Sequence, residues 1–144
     1  MHDGERATGA RRVPLGLCES CAAPGACRLG LSRGVLGDDG ILRAVARCPS
    51  DHQGTRGFAH GGWIASVLEE LMGGVAFAHG CPALTASLTV NFVAPVPIGR
   101  DLHVRAWRER CDDRRWQIAA DLRLEGSTAD LAIAHGLWID AVAR

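Results

Sequence analysis

The residues best placed to do chemistry are two consecutive glycines, Gly61 and Gly62, which follow His60 at the predicted start of a helix. Glycine has no side chain, so both backbone N–H groups stay open to a ligand. These donors, with the positive end of the helix dipole, can hold a negatively polarised oxygen. A tight turn that needs glycine for its backbone would give the same local sequence, and that interpretation stays open at this point.

The second candidate is Glu69, which lies further along the same predicted helix. On a helical wheel it lies about 140° from Ile64, away from the apolar stripe. Small residues on its side of the helix would let another helix or subunit pack closely, and a carboxylate removed from water there is a stronger base. Glu70, beside Ser66, is the more ordinary candidate for a solvent-exposed charge. The neighbours of Glu69 on its side are Ala65, Met72, Gly73 and Ala76.

One strong helical pattern follows the two glycines. Apolar residues recur at the spacing of an amphipathic helix, and Gly80 and Pro82 end the pattern. The sequence therefore predicts one long helix that begins at the glycines and carries Glu69. Its apolar stripe consists of Ile64, Val67, Leu68, Leu71 and Val75.

Strand patterns lie on both sides of this helix. Before it, the sequence predicts one strand or a strand pair across the turn at 37–40, with residues 41–48 as the second strand of the pair. After it, alternating apolar and polar residues predict four consecutive strands joined by short turns. Short turns connect antiparallel neighbours, so the sequence predicts an α+β domain in which the helix covers one face of the sheet.

Size and composition limit the classes of protein. The chain has 144 residues, a formal net charge of +0 and 47% hydrophobic residues, which suits one domain with its own core. We expect residues 1–14 to be a disordered arm and residues 15–144 to be that domain. The zero net charge argues against nucleic-acid binding by excess positive charge. Without an apolar signal segment or spanning run, we expect a cytoplasmic protein with no membrane partner.

Several segments, in order along the chain, resemble the hotdog-fold acyl-CoA thioesterases of the PaaI-like, phenylacetate-pathway group. His60-Gly61-Gly62, followed by an acid nine residues after the histidine, is similar to the helix-start signature of that group. Residues 18–31, with their Cys-x-x-Cys pair, resemble its lead-in, and residues 52–57 resemble the loop before the signature. Residues 91–99 resemble the segment in which an extended chain meets the acyl group.

The resemblance implies an antiparallel sheet of five or six strands wrapped around one long central helix. It also implies a homo-oligomer, either a dimer or a dimer of dimers, with the active site at the subunit interface. The implied reaction is hydrolysis of an acyl-CoA thioester to a free acid and CoA, without metal or cofactor. Gly61 would polarise the thioester carbonyl through its N–H, and Glu69 would either activate water or attack directly.

Other residues are expected at the same site. We place His60 in the catalytic set with Gly61 and Glu69, where it would orient the turn by hydrogen bonding. Thr85 aligns with a position at which some members of the group have a hydroxyl that helps to hold water, so the resemblance implies this role for Thr85. The expected substrate-binding residues are Gly62, Trp63, Thr85 and Asn91.

The chain departs from the resemblance at two positions. Gly54 stands where some relatives have an amide side chain, and Gly73, one turn after Glu69, stands where others have threonine. Each departure removes a polar contact, so water positioning and substrate orientation need a different explanation in this chain.

Two other functions fit parts of the sequence. A hotdog enoyl-CoA hydratase or dehydratase needs a histidine and an acid facing each other, for which His52 and Glu69 are candidates. A non-catalytic acyl-CoA-binding hotdog protein would hold zinc at Cys18, Cys21 and Cys27, with Cys48 and His52 as further candidate ligands. Only the Cys-x-x-Cys half has good ligand spacing, and buried thiols that pack as small apolar groups are the alternative interpretation.

Overall fold

The computed structural model describes residues 11–13 and 27–142. Within these residues one long helix, α1, packs against one antiparallel sheet of seven strands. The expected arm, residues 1–14, lies outside the described residues except for strand β1. The elements are β1 Arg11–Val13, β2 Gly34–Leu36, β3 Leu42–Ala46, α1 Gly61–Ala78, β4 Ala83–Phe92, β5 Leu102–Asp112, β6 Arg115–Leu124 and β7 Asp130–Asp140, with a short 3-10 turn at Ser50–His52.

The strands are ordered β1-β2-β3-β5-β6-β7-β4 across the sheet, and every neighbouring pair is antiparallel. Six of them, β2 to β7, form the sheet that the sequence predicts around one helix, so the predicted α+β class is confirmed. The seventh, β1, adds three residues beside β2. Among the described residues, no helix is both long and apolar enough to cross a membrane.

The core forms where the apolar stripe of α1 meets the inner face of the sheet. All five residues of the predicted stripe are at most 4% exposed. Facing them are alternate residues of β5 and β6, such as Val104, Ala106, Ile118 and Leu122, which are fully buried. Burying one such aliphatic side chain contributes about 1.5–3 kcal/mol, so this contact fixes the position of α1 on the sheet.

Strand β4 carries a bulge that changes which side chains face α1. Thr85 pairs with Trp138, but the next pair joins Ser87 to Leu137, so Ala86 is the extra residue. A bulge turns the side chains before it relative to those after it. Simple alternation groups Thr85 with Ser87, but the bulge turns Thr85 towards the helix, where it contacts Glu69.

The indole of Trp138 lies across the backbone of Gly136 on the same strand. A Cβ at Gly136 would overlap the Trp138 Cζ3 atom and lie 2.8 Å from the carbonyl oxygen of Ser87. Real Cβ atoms do not approach so closely, so only glycine leaves room for the ring. Trp138 itself is 1% exposed, and its ring is therefore held between β7 and α1.

We expect Gly136→Ala to lower the free energy of unfolding by about 2 kcal/mol, because the new methyl group forces the Trp138 ring to move. Urea denaturation of the purified protein measures this change. The matched control is Gly73→Ala, whose Cβ would lie at an ordinary 3.4 Å from Trp138 Nε1. Alanine is favoured over glycine inside a helix, so the control should be as stable as the wild type or more so. A Gly136→Ala protein with wild-type stability would contradict this packing.

Candidate active site

The start of α1 is capped by the His60 side chain. His60 has extended backbone angles, φ −64° and ψ 139°, and its Nδ1 accepts a hydrogen bond of 2.8 Å from the Gly62 N–H. Its own N–H donates to the His52 carbonyl at 2.8 Å. Among the described residues no hydrogen bond uses the N–H of Gly61. The cap therefore satisfies one glycine donor and leaves the other open at the positive end of the helix dipole.

Two glycines make room for the His60 side chain. A Cβ at Gly62 would lie 2.9 Å from His60 Nδ1, and a Cβ at Gly54 would lie 3.2 Å from His60 Cα. Both positions are tight, so a side chain at either would press on the capping histidine. Glycine at position 54 thus avoids close contact with His60. The sequence had indicated only that an amide side chain of some relatives is missing there.

The ring of Phe92 lies beside the open donor. Phe92 ends β4, and a Cβ at Gly61 would lie 3.4 Å from its Cε1 and Cζ atoms. The ring is 56% exposed in the single chain. An apolar surface is therefore present next to the Gly61 N–H.

Glu69 and Thr85 meet between α1 and β4. The Thr85 hydroxyl donates to Glu69 Oε1 at 2.6 Å, a short hydrogen bond as expected for a charged acceptor. The Glu69 side chain is half-buried, and the contact fixes one carboxylate oxygen while leaving the other available. The structure thus brings together two of the residues that the sequence singled out.

The environment of Glu69 differs from the sequence expectation in two respects. Met72 and Ala76, which the helical wheel placed beside it, are fully buried in the protein's own core, so the small surface neighbours are Ala65 and Gly73. Glu70 is half-buried, not solvent-exposed as expected, and burial together with the charge of Glu69 raises its pKa. The helix surface around the two carboxylates is therefore less polar than a solvated face.

Trp63 and Asn91 lie away from Glu69. Trp63 is 3% exposed, and its indole N–H donates to the Leu29 carbonyl at 2.9 Å, so it anchors the segment before β2. Its spacing of four residues from Val67 was the sequence signal for this core position. Asn91 precedes Phe92 on β4 and is exposed on the opposite face of the sheet, because successive residues of a strand alternate.

Residues 56–129, half of the chain, match the family model of the thioesterase superfamily. The chain belongs to the thioesterase superfamily.

Three solved structures resemble this thioesterase superfamily chain. One, described as a thioesterase superfamily protein, is 25% identical with a TM-score of 0.70, covering 75% of this chain and 53% of that one. This chain therefore spans about half of that relative's length. The Escherichia coli PaaI protein from the phenylacetic acid degradation operon is 16% identical with a TM-score of 0.69. The match covers 77% of this chain and 83% of that one. A hypothetical thioesterase from Streptococcus pneumoniae, solved with coenzyme A, is 15% identical with a TM-score of 0.68. The match covers 74% of this chain and 85% of that one. The predicted hotdog fold and the expected membership of a thioesterase family are confirmed, and the Escherichia coli PaaI protein shares the fold.

The cysteines and the histidine that the sequence suggested as metal ligands do not form a metal site in the described part of the structure. Cys18 and Cys21 lie outside the described residues, and within residues 11–13 and 27–142 no group of three His, Cys, Asp or Glu side chains could hold a metal. Cys48 is buried, which raises the pKa of its thiol. The His52 ring pairs with Asp51 at 2.9 Å. A surface cleft of about 400 Å³ beside His79, at the other end of α1, contains none of the candidate site residues.

The cap at the start of α1 is testable by stability alone. We expect His60→Ala to lower the free energy of unfolding by about 1 kcal/mol, because the Gly62 N–H loses its acceptor. His60→Asn should keep most of the wild-type stability, since asparagine is among the best residues for this position. Urea denaturation compares the three proteins. An asparagine variant as unstable as the alanine variant would contradict the capping role.

Proposed function

We propose that this protein is an acyl-CoA thioesterase that hydrolyses a thioester to a free acid and coenzyme A. The observation that carries the proposal is the open Gly61 N–H at the amino end of a helix that also presents the oriented Glu69 carboxylate. Membership of the thioesterase superfamily supports the reaction class. The Streptococcus pneumoniae relative solved with coenzyme A supports the substrate class.

Gly61 has the property that an oxyanion donor needs. Attack on a thioester moves negative charge onto the carbonyl oxygen, and a donor already in place stabilises that charge without reorganising. One such donor is worth about 3 kcal/mol in the transition state. Because His60 occupies only the neighbouring N–H, the Gly61 N–H remains free for the substrate.

Glu69 has the property that a general base needs. In the proposed reaction it takes a proton from water, and the water oxygen forms a bond to the carbonyl carbon. The carbon–sulfur bond then breaks, and the proton held by Glu69 passes to the departing sulfur. Thr85 binds one carboxylate oxygen and leaves the other for the water. Direct attack by Glu69 on the carbonyl is the alternative that the sequence left open.

The spacing of Gly61 and Glu69 favours a site built from two subunits. Eight residues at 1.5 Å per residue separate them by about 12 Å along α1. The attacking oxygen must come within about 3–3.5 Å of the carbonyl carbon, whose oxygen lies at hydrogen-bond distance from its donor. The separation along the helix is much larger than either of these contact distances, so we propose that Gly61 of one protomer works with Glu69 of its partner.

Strand β4 offers the surface for this partner. It is the edge strand next to β7, ten residues long and without a charged residue or proline. Leu84 is 69% exposed, and Val93, just past its end, is 57% exposed. Proteins usually cover or pair such edges, because the free backbone groups recruit other strands. Antiparallel pairing of two β4 strands about a twofold axis would bring the two α1 helices together.

Gly61→Pro tests the donor directly, because proline removes the N–H and is favoured at the first position of a helix. The extended backbone of His60 is compatible with a following proline. Gly61→Ala is the matched control, since it adds a Cβ at the same place but keeps the N–H. We expect the proline variant to lose about 100-fold or more in kcat on a panel of acyl-CoAs, and the alanine variant to lose far less.

Glu69→Gln in the same assay should also lower kcat by at least about 100-fold, because an amide cannot accept the proton. Circular dichroism and thermal unfolding verify that each variant is folded. Equal rates for wild type and Glu69→Gln, or equal losses in the proline and alanine variants, would contradict the assigned roles. A wild-type protein that hydrolyses no acyl-CoA would contradict the proposed function itself.

A further inference from the structure

Trp138 lies under the Glu69 site although no sequence motif pointed to it. Its partner across the β4–β7 pair is Thr85, the residue whose hydroxyl binds Glu69. The bulge after Thr85 puts its side chain on the helix side of the sheet, the side on which the alternation of β7 already places Trp138. Trp138 therefore belongs to the same small region as the proposed base.

The indole N–H of Trp138 meets α1 at Gly73. Trp138 Nε1 lies 3.4 Å from the position that a Gly73 Cβ would take, and no other atom comes within 4 Å of that position outside the excluded local backbone. Gly73 is four residues after Glu69, so the two positions are neighbours on one side of the helix. The indole N–H thus lies beside the helix position one turn after Glu69, and Gly73 has no side chain to cover it.

This N–H has no hydrogen-bond acceptor among the described residues. Neither Trp138 nor Trp116, which is 7% exposed, donates its indole N–H in any hydrogen bond found for them, whereas the buried indole of Trp63 donates to the Leu29 carbonyl. Every fully enclosed polar side-chain atom of the described residues has a partner. Trp138 Nε1 therefore keeps a small accessible surface in the single chain, even though the residue is only 1% exposed. Buried tryptophans normally satisfy this donor, so an open one indicates a ligand.

We infer that the Trp138 indole N–H holds the water that Glu69 activates, an inference that rests on the proposed hydrolysis. The Cβ positions of residues 69 and 73 are about 5–6 Å apart. We place one water, with two hydrogen bonds, between the indole nitrogen beside position 73 and the carboxylate of Glu69. The water accepts from Trp138 Nε1 and donates to the free oxygen of Glu69. During attack its proton goes to Glu69 and its oxygen to the thioester carbon, while the indole keeps its proton.

Trp138→Phe removes the N–H and keeps an aromatic ring in the same place. We expect kcat to fall about tenfold, the effect of one lost hydrogen bond, with KM for acyl-CoA changed less than twofold. The matched control is Trp107→Phe, at a half-buried indole on β5 that stacks with Arg105 away from the site. The control should keep the wild-type kcat. A Trp138→Phe enzyme with wild-type kcat would overturn the inference.

A second change separates a water-binding role from a packing role. In the Trp138→Phe background, Gly73→Ser supplies a hydroxyl donor from the helix side, within reach of the position that Nε1 occupied. We expect the double variant to recover most of the lost kcat. If the loss came from packing, the added serine would not restore it, and that result would overturn the inference.

A spectroscopic test does not depend on turnover or on the folding of variants at position 138. In the ¹⁵N-labelled protein, the Trp138 indole proton should show a cross-peak to a bound water that weakens in Glu69→Gln. Its absence in the wild type would overturn the inference. If the cross-peak is present but the wild type cleaves no acyl-CoA, the proposed function fails and the water site stands.

Discussion

The rise of an α-helix, 1.5 Å per residue, is the constraint on which the account of this protein depends. It places Gly61 and Glu69 about 12 Å apart on one rigid element, and we propose that each acts together with the other group of a partner chain. In this proposal a single chain carries one half of each of two sites. The uncharged free edge of β4 provides the surface across which those halves can be joined.

The open donor at Gly61 is a consequence of how the helix begins. A helix leaves its first N–H groups without partners, and most helices satisfy them with a capping side chain or water. Here the cap uses the ring of His60, which folds back onto the second glycine and is accommodated by the absence of a side chain at both Gly54 and Gly62. Gly54 and Gly62 thus leave room for the side chain of His60. With Gly61, whose N–H stays open, four residues determine the arrangement at the start of the helix.

The main elements of the fold were predictable because they follow local periodicity. The helix stripe from Ile64 to Val75 is buried as predicted, and the antiparallel strands follow from alternation and short turns. The spacing of Gly61 and Glu69 was visible for the same reason, since both lie on one regular helix. Trp63 follows the two glycines, which suggested a binding role, but it is buried and bonded to Leu29, as its spacing of four residues from Val67 indicates.

Features that depend on pairing between distant strands were not predictable. The alternation of β4 gives no sign that Ala86 is an extra residue, so the contact between Thr85 and Glu69 emerges only from the register with β7. The position of Trp138 depends on that register as well and on the space left by Gly136. In both cases the pairing register of two strands that are distant in sequence decides which polar groups lie near the Glu69 carboxylate. The alternation of residues within one strand does not reveal that register.

The most direct test of the central claim is the activity of a purified heterodimer of one Gly61→Pro chain and one Glu69→Gln chain. Each parent homodimer lacks one group in both of its sites. In the heterodimer one site combines the intact Gly61 of one chain with the intact Glu69 of the other, and the second site carries both lesions. We expect about half of the wild-type activity per dimer, because one of its two sites is intact. A heterodimer as inactive as its parents would show that the two groups do not act across the interface.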